Sequence, residues 1–131
     1  MDNTNQEPMP SSHICAGLNQ SAHVIHQYNK EKGFWDKERN VGELLMLVTS
    51  ELGEAMEAHR KGDFTPALFV GSDHTPKAFE ENIKDTFEDE IADAIIRLLD
   101  LSAGLGIDIE WHIRSKVQYN QNRPWLHGKQ Y

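Results

Sequence analysis

The sequence predicts an all-α protein built as a four-helix bundle. Apolar residues recur at three- and four-residue spacing in four segments. Gly33, Gly62, Gly104 and Gly106 fall at the ends of those segments, with Pro76 at the start of one. The chain has 131 residues and 38% hydrophobic content, which suits one domain with a core of its own and is thin for two.

Taken in order, residues 1–16 are polar, carry Pro8, Pro10, Ser11 and Ser12, and show no periodicity. They are expected to form a flexible arm ahead of a helical domain over 17–131. Leu18, Ala22, Ile25 and Asn29 follow helical spacing until Gly33 breaks it, and Gly33-Phe34-Trp35-Asp36 makes a short aromatic connection. Asn40 followed by Glu43 reads as an N-cap with an acid at its third position. From there Leu44, Leu45, Val48, Leu52, Ala55 and Met56 form an apolar stripe, stopped by Gly62. Residues 62–75 form a loop around the apolar run Ala67-Leu68-Phe69-Val70, which should pack on the domain or on a second subunit. Thr75-Pro76 is a cap and first-turn pair for a third helix running to about 103. Asp108 caps a fourth, which ends near Asn122 because Pro124 disfavours helix at Arg123. Ile96 and Leu101 widen the third helix's apolar surface beyond one stripe, so a second copy of the chain is expected to cover part of it.

Charge narrows the partners. The formal net charge of −8 argues against a nucleic-acid polymer or an anionic membrane surface. No run reaches the roughly 18 apolar residues of a membrane span, and the first residues lack the basic and apolar regions of a secretion signal. The single Cys15 excludes an intramolecular disulfide and fits a reducing compartment. A cytoplasmic location is expected.

Two carboxylate pairs carry the chemistry. Glu51 and Glu54 share a face of the second helix at the edge of its apolar stripe. Glu90 and Asp93 do the same on the third. Acid pairs at this spacing are common on solvated helix faces, and Glu54/Glu57 and Asp85/Glu88 repeat the pattern. The first two pairs differ in bordering apolar stripes on neighbouring helices. Anions crowded at such a boundary repel one another and lose solvation unless a cation joins them. Hard oxygen ligands in that number suit magnesium.

Downstream, Lys116 and Asn120 share a helix face and Arg123 follows one turn later. A point charge, an amide and a planar fork suit successive phosphate oxygens, although a basic helix end also arises simply from the macrodipole. Trp35 could stack on a base or plug the core. His23 and His26 lack the further ligands of a zinc site, and His26 could reach the pocket. There is no Glu-x-x-His, Walker loop, Gly-x-Gly-x-x-Gly or Gly-x-Ser-x-Gly.

The order Gly33-Phe34-Trp35-Asp36, Ser50-Glu51-Leu52-Gly53-Glu54-Ala55, Glu88-Asp89-Glu90-Ile91-Ala92-Asp93 and Lys116-x-x-Tyr119-Asn120-x-x-Arg123-Pro124 resembles the MazG-like nucleoside triphosphate pyrophosphohydrolases. The closing His127-Gly128-Lys129 is similar to the short, single-domain members. The resemblance spans residues 18–129. It implies an all-α fold and magnesium-dependent hydrolysis of a nucleoside triphosphate to the monophosphate and pyrophosphate, with manganese as a substitute ion. It further implies metal ligation by Glu51, Glu54, Glu90 and Asp93, with Glu51 or Glu54 activating water. Lys116, Asn120 and Arg123, with Tyr119 beside them, would contact phosphate or sugar, and Trp35 the base. The site would lie near a subunit interface. The apolar loop around Phe69 has no counterpart in that pattern. The competing expectation, from another class, is a metal-binding helical interaction module without turnover.

Overall fold

The structure, a computed structural model, describes residues 14–125. It is all-helical, with α1 (Leu18–Glu31), α2 (Val41–Lys61), a 3-10 turn (Ala67–Phe69), α3 (Pro76–Asn82), α4 (Phe87–Gly104) and α5 (Ile109–Gln121); the described residues contain no strand. The expected arm lies mostly outside the described residues, as does the His127-Gly128-Lys129 motif.

The sequence-predicted caps are met atom by atom. Asn40 Oδ1 accepts from the Glu43 amide, Thr75 Oγ1 from Ala78 and Asp108 Oδ1 from Trp111. Gly62 closes α2 in the left-handed region, at φ 74°.

One expectation is corrected. The third helix expected over 75–103 is two helices, α3 and α4, separated at Ile83–Thr86. Asp85 takes φ 64°, which a helix cannot contain, and its amide donates to Asp89 Oδ2. Thr86 then restarts the helix by accepting from the Asp89 amide. Local side-chain bonds from Asp and Thr outcompete helix continuation here.

α4 is the central element. It packs against α2 on one side and α1 on the other, both antiparallel to it, while α5 leans on α1. The buried apolar residues at these contacts are Ala22, Val48, Ala55, Ala58, Ala94, Leu99 and Leu101. Four of them are alanine, which lets helix backbones approach closely but buries little area each. Larger side chains point outward, among them Leu45, Leu52 and Met56 of α2 and Ile95 and Leu98 of α4. Within the expected stripe of α2, only Val48 and Ala55 are buried. No described helix is long and apolar enough to cross a membrane.

Candidate metal centre

Three loop hydrogen bonds set the end of α2 beside the start of α4. After Gly62 reverses the chain, the Phe87 amide donates to the Asp63 carbonyl at 2.8 Å. Thr65 and the buried Thr86 share a hydroxyl hydrogen bond of 2.8 Å, and the Thr65 amide donates to Glu88 Oε2. Glu90 consequently lies in the first turn of α4, opposite the last turns of α2. Position on the apolar border does the rest: Glu51 and Glu54, one turn apart on α2, meet Glu90 across the helix pair.

One oxygen from each of Glu51, Glu54 and Glu90 lies within 4.8 Å of the others. Glu51 and Glu90 are buried, Glu90 at 4% exposure, and Glu54 is exposed. Glu90 Oε2 is buried without a hydrogen-bond partner among the described residues. Burial, reinforced by the charge of Glu54 and by the nearness of the Glu51 and Glu54 carboxylates, which favours the protonated form, pushes Glu90 from 4.5 to about 7. Asp93, half-buried one turn further along α4, is also held above the usual carboxylate range. Burial is the main cause, with Asp89, Glu51 and Glu54 adding to it and Arg97 opposing. Asp93 thus borders the cluster while the three glutamates form its centre. Crowded oxygens, one of them orphaned and buried, are the donor set that a hard divalent ion takes.

Arg97, which the sequence analysis did not single out, is ion-paired with the cluster. Its Nε donates to Glu51 Oε1 at 2.6 Å. The spacing Glu90, Asp93, Arg97 is one helix face, so the arginine was detectable as the cation at i+4 from Asp93. A cavity of about 430 Å³ opens on this side of the acids. Asn29, Phe34, Arg39, Asp93, Arg97 and Asp100 lie on its wall, together with leucines of α2. Two guanidinium groups, Arg39 and Arg97, and the ring of Phe34 share that wall with three carboxylates, Glu51, Asp93 and Asp100.

Trp35 is held in the packing between the chain after α1 and the end of α4. Its Nε1 donates to both oxygens of Asp100, at 3.0 and 3.1 Å, and its ring lies edge-on to His26. His26 Nδ1 lies 2.7 Å from Asp100 Oδ1, and Asn29 donates to the other oxygen. The indole is so close to Gly104 that a Cβ there would sit 2.6 Å from Trp35 Cη2. Phe34, not Trp35, is on the cavity wall. His26 supports that wall through Asp100.

The tail stands apart from the acids. Lys116, Tyr119 and Asn120 are exposed on α5, which packs on α1 and makes no comparable contact with α2 or α4. Lys116 and Arg123 both lie over the Tyr119 ring, with 5.3 and 5.7 Å to its centroid. Within one chain, the phosphate-reading residues expected from sequence therefore form a separate cationic group around a tyrosine.

Compared with protein-family models, curated proteins and solved structures, the chain matches none.

Proposed function

We propose that this chain is a divalent-cation-dependent hydrolase converting a nucleoside or deoxynucleoside triphosphate to the monophosphate and pyrophosphate, in the clearing of unwanted nucleotides. The observation that carries the reading is the meeting of Glu51, Glu54 and Glu90 around a buried, unpartnered oxygen, next to a cavity bearing Arg39 and Arg97. The order of sequence motifs described above supports it independently.

Glu51, Glu54 and Glu90, with Asp93 at the border, would hold magnesium, or manganese in its place. When bound there, the ion would supply charge neutralisation for the phosphate groups and Lewis-acid polarisation. The remaining work belongs to the chain. Glu51 or Glu54 accepts a proton as a water oxygen bonds to the α-phosphorus; the bond from that phosphorus to its bridging oxygen breaks, and pyrophosphate leaves. Arg39 and Arg97 orient the anion. Phe34 offers the base a flat contact, and Trp35, through Asp100, fixes the wall behind it.

Lys116, Asn120 and Arg123, with Tyr119, enter this reading through the resemblance. They would meet phosphate or sugar at the site of the same chain or of a second copy. A homodimer fits the outward-facing leucine, isoleucine and methionine side chains of α2 and α4. Those same faces also suit the competing reading, a metal-binding interaction module without turnover.

Pyrophosphate release from a panel of canonical and modified nucleoside triphosphates separates the two. Magnesium-dependent release is expected, reduced on the order of a hundredfold or more by Glu54→Ala and strongly reduced by Lys116→Ala and Arg123→Ala. Silence across the panel with magnesium still bound would favour the interaction module.

A further inference from the structure

Arg97 occupies a position that the proposed cation site cannot leave undisturbed. It donates Nε–H to Glu51 Oε1 at 2.6 Å, so a guanidinium already lies against one of the three converging carboxylates. It is also the positive group acting on Asp93. A divalent ion entering among Glu51, Glu54 and Glu90 would lie within a few ångströms of this charge, and the two cations repel.

Which partner gives way follows from burial. The Glu51 side chain is 11% exposed and the Arg97 side chain 42% exposed. Glu51 is fixed on α2 by its surroundings, whereas Arg97 is a long side chain with open space beside it. That space is the cavity of about 430 Å³ whose wall it already forms. Only Nε is engaged with Glu51, and the other guanidinium donors remain for an anion.

We propose that Arg97 is a stand-in for the cation: it holds Glu51 while the site lacks metal and, displaced by the ion, turns into the cavity to bind the phosphate groups of the ligand. This inference rests on the hydrolase reading and adds a positioning residue that couples ion entry to anion binding. Metal alone and substrate alone would then each bind less readily than the two together, because each needs the guanidinium to move or to be free. That is positive coupling between two ligands through one side chain.

The test uses the full chain with manganese alone and with inorganic pyrophosphate. Titration calorimetry of Arg97→Gln is expected to show manganese binding tightened on the order of tenfold, and pyrophosphate binding at saturating manganese weakened by a similar factor. A general loss of structure would weaken both, so opposite signs identify the stand-in. In the unsubstituted chain, the Arg97 Nε–H resonance should leave its ion-paired position as magnesium is added, a readout that needs no variant. Unchanged or weaker manganese binding by Arg97→Gln, or an Nε–H resonance that stays put at saturating magnesium, would overturn the inference. Arg97 would then be a fixed support of Glu51, and the hydrolase reading would stand. Absence of manganese binding in both proteins would overturn the inference and the cation site together.

Discussion

At the residue scale, Glu90 decides how the site responds to pH. Its carboxyl in the metal-free fold is raised from 4.5 to about 7, by burial first and by neighbouring carboxylates second. A raised acid binds a proton more tightly folded than unfolded. Stability of the metal-free chain should therefore fall as pH rises from about 4.5 to about 7, and level off above it. The full cost is roughly 3 kcal/mol. Glu90→Gln, which mimics the protonated group, should remove Glu90's share of this fall and leave only that of the raised Asp93, and thermal melts at pH 5 and pH 8 without divalent ions would measure it. A variant with the same pH slope as the parent would rule out Glu90 as its source. The metal ion acts in the opposite sense, because a ligating carboxylate must be ionised. Stabilisation by magnesium should accordingly grow from pH 5.5 to 7.5 in the parent and be largely absent in Glu90→Gln.

Among elements, the junction between α3 and α4 sets where Glu90 stands. Thr86 caps α4 and bonds to Thr65, so Thr86→Ala removes a cap and a buried hydroxyl pair at once. A loss of about 2 kcal/mol is expected in chemical denaturation. A change below about 0.5 kcal/mol would show that the junction is held elsewhere. Much of the element pattern was legible beforehand. Asn40, Gly62, Thr75 and Asp108 are strong local signals, and each acts where expected. The α3–α4 break was readable too, in Thr86-Phe87-Glu88-Asp89, but an apolar pattern continuing across it masked the cap. The glutamate cluster could be anticipated because acids bordering two apolar stripes must approach when those stripes pack. Arg97 was readable only as a cation on the face of Asp93; its pairing with Glu51, the place of Asp100 and the role of Trp35 were not, since they depend on which side of α4 each neighbouring helix covers. Helical periodicity gives faces; it does not say which helix meets which face.

The whole molecule hides little large apolar surface. Leu45, Leu52 and Met56 lie along one line of α2, and Ile95 and Leu98 along one of α4, continued by Leu105 just past its end, all at least 43% exposed. A second copy covering these lines would bury the side chains that a single chain leaves out. Light scattering or sedimentation is expected to show a dimer, and Leu52→Glu with Met56→Glu should shift it to monomer and lower its melting temperature. A parent that stays monomeric at high concentration would count against the homodimer. The alanine-lined contacts among α1, α2 and α4 carry a further meaning. A core of such small groups contributes only part of what holds the glutamates at their separation, and in the proposed dimer the outward leucines would add to it by association. If the dimer forms, the chain's working state would be a function of how much of it a cell makes: at low abundance the cluster would be held less firmly, and synthesis level would tune the site.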